Sequence, residues 1–210
     1  VSGDLEDFVA QIDLPSCRQI TIGLFNCVLF EIPRFCQLIP RLDALSSPAY
    51  AFITHSLNFV DVHFYQEGKR SSMNCISKTS CRRLDGQLLF VTQITSQLSH
   101  LLSSVHSLGI CRGFGLPTGE EDVDPTQWLD LFQPFTHVTR VYIRVGEFVS
   151  GIVRALVAED VAADVLPELT SLHVNGYLNF RSTSPSAAST AEQFVARRKL
   201  SGRTVALSFS

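Results

Sequence analysis

The loop Gly113-Phe-Gly115-Leu-Pro-Thr-Gly119 has glycines spaced as in a phosphate cradle, where backbone N–H groups face an anion. It lacks the Gly-Lys-Ser/Thr ending of a P-loop, and Glu120, Glu121, Asp122 and Asp124 follow at once, where they would repel phosphate. A surface loop capping the next helix accounts for it better. The acidic run lacks the Asp-x-Asp/Asn-x-Asp/Asn-Gly spacing that wraps carboxylates around calcium, so a solvated turn is the plainer reading. Glu159-Asp160 and Glu120–Asp122 are paired carboxylates, but neighbours on a helix point about 100° apart, so the first pair shares no face.

The six histidines, His55, His63, His100, His106, His137 and His173, stand singly, with no His-Glu-x-x-His and no Cys/His zinc spacing. The six cysteines, Cys17, Cys27, Cys36, Cys75, Cys81 and Cys111, form no Cys-x-x-Cys pair and sit among apolar neighbours. With no Asn-x-Ser/Thr acceptor present, they are expected to be reduced, metal-free thiols in a cytoplasmic or nuclear setting; disulfides or a metal are the alternative. A Cys–His nucleophilic pair can assemble from distant segments. No cysteine carries a local mark of low pKa, and there is no Gly-x-Ser-x-Gly elbow or dinucleotide fingerprint. The expectation is a chain without catalytic residues, cofactor or metal.

Such residues need elements to hold them, and the 210-residue chain can build these. Hydrophobic residues make up 45% and charged ones 18%, enough apolar surface to offset the entropy of ordering. A net charge of −3 offers no general attraction to nucleic acid or anionic lipid. No apolar run approaches the ~20 residues of a membrane span. The chain opens on Val1 with Asp4, Glu6 and Asp7 close behind, unlike a signal peptide; the expectation is a piece of a longer protein.

A repeat organises the sequence. Its clearest copy is Leu166-Pro-Glu-Leu169-Thr-Ser-Leu172-His-Val174, with apolar residues at L-x-x-L-x-x-L-x-L. The same phase occurs at Leu102, Val105, Leu108, Ile110; at Phe135, Val138, Val141, Ile143; and at Leu14, Cys17, Ile20, Ile22. A weaker copy puts Ser56 in an apolar slot before Phe59, Val62 and Phe64, and a last one keeps Val205 and Leu207. Apolar positions three apart suit a turn entering a sheet, and positions two apart share one face of a strand. The strand ends recur after 33, 31 and 33 residues, at Ile143, Val174 and Leu207, counted from Ile110. Earlier spacings, 42 from Ile22 to Phe64 and 46 from there to Ile110, imply insertions. Regular leucine-rich repeats run about 20–29 residues, so each unit here carries a full helix.

The expected strands are 20–25, 59–65, 107–111, 139–144, 171–175 and 204–208. Asp124-Pro125 reads as an N-cap and first helical residue before Trp128, Leu131, Phe132 and Phe135. Val149, Ile152, Val153, Leu156 and Val157 form a second helical stripe, and Val91, Ile94, Leu98, Leu101 and Leu102 a third. Ser189 and Glu192 match a capping box before Phe194 and Val195, with Gly202 as C-cap, and Ile32–Ile39 is a short helix between Pro33 and Pro40. Two polar stretches leave the pattern: Gln66–Gly86, with one extra strand around Cys75–Cys81, and the loop Arg181–Ser189. Because the alternation resumes in phase after each, residues 1–210 are expected to form one α/β domain. Its architecture is an irregular leucine-rich-repeat-like solenoid, one curved and mainly parallel sheet with helices on the outer face.

Three segments carry a resemblance to a known group: Asp124-Pro-Thr-Gln-Trp-Leu-Asp-Leu-Phe-Gln-Pro-Phe135, Val165-Leu-Pro-Glu-Leu-Thr-Ser-Leu172 and Phe194-Val-Ala-Arg-Arg-Lys-Leu-Ser-Gly202. They resemble the irregular leucine-rich-repeat-like region that follows the F-box in proteins of mushroom-type fungi. Glu6-Asp-Phe-Val-Ala-Gln-Ile-Asp-Leu-Pro-Ser-Cys17 and Arg82-Arg-Leu-Asp85 are similar to parts of the same region. The resemblance implies the target-recognition part of an SCF ubiquitin-ligase adaptor. Contact with the ligase core would pass through an F-box that this sequence does not contain.

If the pairs Ile20/Ile22, Val62/Phe64, Leu108/Ile110, Val141/Ile143 and Leu172/Val174 are buried, the residues between and beside them point outward: Thr21; Asp61, His63 and Tyr65; Gly109; Arg140, Tyr142 and Arg144; His173 and Asn175. Arg and Tyr are favoured at binding hot spots, which makes Arg140, Tyr142 and Arg144 the preferred cluster on a surface for an unknown target protein. The same pattern also suits an ordinary wet face. The rival functional expectation is a hydrolase or transferase with its site assembled from loops after the strands.

Overall fold

The computed structural model describes residues 20–24, 47–67, 75–113, 123–144, 147–158, 165–175 and 185–210. They form one α/β sheet with helices between strands. The strands are β1 (Ile20–Leu24), β2 (Tyr50–His55), β3 (Phe59–Tyr65), β4 (Cys75–Ser80), β5 (Ser107–Arg112), β6 (Arg140–Arg144), β7 (Ser171–Asn175) and β8 (Ala206–Phe209). Their order across the sheet is β1-β4-β3-β2-β5-β6-β7-β8. Pairing is parallel everywhere except β2 with β3 and β3 with β4.

The helices are α1 (Leu84–Gln97), α2 (Ser99–Leu102), α3 (Pro125–Phe132), α4 (Glu147–Val157) and α5 (Pro185–Leu200). From β5 onward each parallel neighbour follows one helix later, and α1, α3, α4 and α5 pack side by side in that order. Strand side chains alternate accordingly. Ala51, Ile53, Val60, Val62, Phe64, Leu108, Ile110, Val141, Ile143, Leu172 and Val174 are buried in one core with Leu88, Trp128, Phe132, Ile152, Leu156 and Phe194 of the helices.

The turn read from the three-residue spacing has a hydrogen-bond basis. Val105, Val138 and Leu169 each donate an N–H to the carbonyl three residues back, at Leu102, Phe135 and Leu166. Just beyond, one carbonyl serves two donors: Ala49 O accepts from His106 and Ser107, His106 O from Thr139 and Arg140, and Thr139 O from Thr170 and Ser171. Thr139 and Thr170 add their hydroxyls to the same ladder, at 3.1 and 3.0 Å. Each unit is thus stitched to the next at the same step, leaving few backbone groups unpaired where the chain turns inward.

The sheet corrects the sequence reading at its N-terminal side. Phe59–Tyr65 is a strand as expected, but it runs antiparallel to both neighbours and is not a repeat copy; Ser56 fills no repeat slot. The parallel neighbour of β5 is β2, which the sequence reading missed, with Ala51 and Ile53 level with Leu108 and Ile110. Ile22 to Ile53 is 31 residues, the ordinary unit length, whereas Ile53 to Ile110 is 57. The excess is the β3–β4 excursion, inserted between β1 and β2. The extra strand around Cys75–Cys81 is β4.

Three boundaries also move. The helix expected from Val91 starts at Leu84 and breaks at Leu98, which separates α1 from α2. The Ser189/Glu192 capping box does not begin a helix: α5 starts at Pro185, a residue that suits a first turn, so Pro185–Ser189 is helix and not loop. The last strand lies at 206–209 instead of 204–208. Elsewhere the caps hold: the Asp124 carboxylate accepts the Thr126 N–H at 2.9 Å. Gly202 has a φ of +79°, and the Arg203 N–H reaches Arg198 O across it, closing α5. The helix expected at Ile32–Ile39 and most of the glycine loop lie outside the described residues, as do the side chains of Ile20, Thr21 and Ile22.

Candidate functional site

One face of the sheet receives the helices, and the other carries the alternate residues in rows set by register. One row runs His63, Phe52, Gly109, Tyr142, His173, Ser208; the next runs Tyr65, Tyr50, Ser107, Arg140, Ser171, Ala206. A third holds Asp61, Thr54, Cys111, Arg144 and Asn175. All eight expected site residues, Asp61, His63, Tyr65, Arg140, Tyr142, Arg144, His173 and Asn175, therefore fall on this one face. Tyr142 and Arg144 are exposed, and the other six are half-buried.

They do not form one cluster. Strands lie about 4.8 Å apart, so β2 and β5 hold the β3 residues roughly 14 Å from those on β6. Gly109 departs from its outward reading. The Phe52 ring lies over it so closely that a built Cβ would collide, and Gly109 is buried. Only glycine lets the ring take that position.

Tyr142 is held by its neighbours. Its ring stacks on His173 at 4.6 Å and 8° between planes. The His173 nitrogens contact Ser171 Oγ at 2.7 Å and Ser208 Oγ at 2.6 Å, so the imidazole is held on both sides. A serine beside a histidine also invites a nucleophilic reading. Here the groups holding the imidazole are hydroxyls, not the carboxylate that orients a catalytic histidine, so the arrangement makes a firm platform for Tyr142. Cys111 is no better a nucleophile: burial pushes its thiol up to about 11, against the pull of Arg144 across the ladder. Among the described residues, no three His, Cys, Asp or Glu side chains converge as metal ligands.

Between the aromatic residues of β2 and β6, β5 contributes only Ser107 and Gly109. The result is a trough of about 330 Å³ lined by Tyr50, Phe52, Tyr65, Gln66, Ser107, Gly109 and Tyr142. Tyr50 is braced by His106, ring to ring at 5.3 Å. Ser107 lines this trough but is only 2% exposed, and its hydroxyl oxygen is buried with no hydrogen-bond partner. Sequence reasoning found Tyr65 and Tyr142 but missed Tyr50, Phe52 and Ser107, because the trough exists only once β2 lies beside β5.

The helix side holds a second polar group. His55 is fully buried and edge-on to Trp128 at 6.0 Å. The Gln87 amide nitrogen donates to Ser56 O and Cys81 O, both at 2.7 Å, which leaves its oxygen to accept from His55 Nδ1–H at 3.0 Å. Protonating the other ring nitrogen would bury a charge, and desolvation lowers the pKa to about 4, the Gln87 bond acting the other way. This neutral histidine ties β2 to α1 and lies away from the open face.

Burial of His55 makes stability pH-dependent. The unfolded imidazole protonates near 6.5 and the folded one near 4, so between these values the unfolded chain binds the extra proton. Stability present above about pH 6.5 should fall as pH drops toward 4, by roughly 3 kcal/mol from this residue. Urea midpoints compared at pH 7.5 and 4.5 should show that slope in the native chain and a shallower one in His55→Gln. Parallel slopes would mean that His55 protonates freely when folded.

No family model, curated protein or solved structure matches the chain.

Proposed function

We propose that the chain is a protein-recognition domain, the target-binding part of an F-box protein acting in SCF-type ubiquitin ligation, with an irregular leucine-rich-repeat-like solenoid fold. Support for the solenoid comes from four consecutive parallel strands, β5 to β8, each joined to the next by one helix on the same side. Support for recognition comes from the opposite face. The observation that carries it is the outward row on β6, where half-buried Arg140 and exposed Tyr142 and Arg144 alternate with the buried Val141 and Ile143. The three segments that resemble the fungal F-box proteins supply core residues, such as Trp128, Leu172 and Phe194, so the likeness speaks for the scaffold. The target would be read by the open face.

The rival reading, a hydrolase or transferase, rests on Ser171 and His173. Binding is favoured because both residues are engaged in fixing Tyr142.

The double variant Arg140→Ala/Arg144→Ala separates surface from scaffold. Each change should alter stability by no more than about 0.5 kcal/mol. Proteins that the native chain captures and chemically cross-links from extract should be lost, with affinity for a purified partner reduced by about 1–3 kcal/mol. Undiminished capture at unchanged melting temperature would move the binding surface elsewhere, and a large drop in melting temperature would make the two arginines structural.

A further inference from the structure

We propose that the trough over β5 receives one aromatic side chain, a Trp or Tyr of the partner polypeptide, with an acidic residue beside it meeting Arg140. This rests on the recognition reading and specifies its chemistry.

Three observations converge. The first is shape: the Phe52 ring lies over Gly109, and the small Ser107 leaves a gap that Tyr50 and Phe52 bank on one side and Tyr142 on the other. At about 330 Å³ the space lies at the small end of ligand clefts, which run about 300–1,000 Å³, and suits one ring system better than an extended ligand. Its walls are preset, since Tyr142 is stacked on a doubly held His173 and Tyr50 leans on His106. A ring entering here meets faces that need not reorganise, which lowers the cost of binding.

The second is the Ser107 hydroxyl. A buried hydroxyl without a partner is costly. Once the Ser107 side chain turns toward the trough, an indole N–H or a phenol O–H on the incoming ring would satisfy it, whereas a purely aliphatic side chain would leave it unpaired.

The third is charge. Arg140 lies directly across the ladder from Ser107, and among the described residues no carboxylate pairs with it. Arg144 lies four residues along the same strand, on the same face. A carboxylate flanking the inserted ring would find a guanidinium beside the trough, where a lysine would be repelled.

The test uses the whole chain, 15N-labelled, and the probe peptide acetyl-Glu-Glu-Trp-Glu-Glu-amide. Saturable shifts are expected at the amides of Phe52, Ser107, Gly109 and Tyr142. Replacing the peptide's Trp by Ala should abolish them, and replacing its Glu residues by Lys should weaken binding by about tenfold or more. Arg140→Glu should weaken it about tenfold and Ser107→Ala about threefold, in variants whose dispersed spectra confirm folding. Arg140→Gln replaces Arg140→Glu if the latter does not fold.

Absence of shifts up to millimolar peptide, shifts centred elsewhere, or equal binding of the Ala peptide would overturn the proposal. So would equal binding of N-acetyltryptophanamide alone, which would make the trough a small-molecule site. The broader recognition reading fails differently. A partner lost on Arg140→Ala/Arg144→Ala but indifferent to Ser107→Ala and to removal of its own aromatic residues would sink this inference and leave that reading standing.

Discussion

Trp128→Ala is expected to destabilise the chain by about 3–5 kcal/mol, a large share of what a domain of this size has to lose. Trp128 is 1% exposed on α3 and packs toward two other elements. Its ring edge meets His55 of β2, and its Nε1 lies where a Cβ on Gly151 of α4 would approach to 3.2 Å. The indole therefore fills a gap that β2, α3 and α4 share. Those elements come from three units, so the neighbours cannot collapse into the void without shifting a whole helix. Urea unfolding at pH 7.5 measures the loss, with Leu57→Ala as a control, since Leu57 is 40% exposed and should change stability by less than about 0.5 kcal/mol. Equal effects at the two positions would show that α3 is not anchored by its tryptophan.

The second large effect is at Arg198, which looks from sequence like part of a surface-exposed basic run. Arg197, Arg198 and Lys199 lie in the last turn of α5, where cations suit the helix dipole. Arg198 is nonetheless only 4% exposed. Its guanidinium lies 5.3 Å from the Phe194 ring centre and donates to Val165 O at 2.5 Å and Leu166 O at 3.4 Å. Leu166 has a φ of +51°, a strained conformation for a leucine. Beside it, Arg197 donates to Val157 O, the last residue of α4, at 2.7 Å. The two arginines thus tie α5 to the unit before it. Arg198→Met should cost about 2–4 kcal/mol, because the carbonyls at 165 and 166 lose a charged donor and stay buried. Arg198→Lys should recover less than half, since one ammonium cannot span both. Thermal melts of the two variants decide it; a loss below about 0.5 kcal/mol would mean the turn at Leu166 holds itself.

Both residues belong to segments that carried the resemblance, and the sequence was most legible there. The C-terminal units declare themselves because each apolar slot, from Leu102 to Val174, is filled by a residue that is then buried. β2 escaped notice for the opposite reason. Its core face carries Ala51 and the polar His55, while its open face carries the aromatic Tyr50 and Phe52, so the alternation of hydrophobicity nearly vanishes. β3 alternates well, with Val60, Val62 and Phe64 buried, but a period of two says nothing about strand direction. Its antiparallel course had to come from the tertiary structure. Of the candidate site, the two arginines and the tyrosine of β6 were readable as outward residues. The trough was not, because it is made by what Ser107 and Gly109 lack, between neighbours that only the register brings together.

The inserted β3–β4 excursion also divides the sheet by the route the chain must take to build it. Along β5, β6, β7 and β8, each strand finds its partner one helix later, so assembly there proceeds by short steps of nearly equal loop length. On the other side, Ile53 must meet Ile110 across 57 residues and Ile20 must meet Cys75 across 55, with two reversals of direction already made in between. Rates of two-state folding fall as the mean separation of contacting residues grows. One continuous sheet therefore joins a region of low contact order to one of high contact order, and the boundary between them runs along β5, the strand that floors the trough.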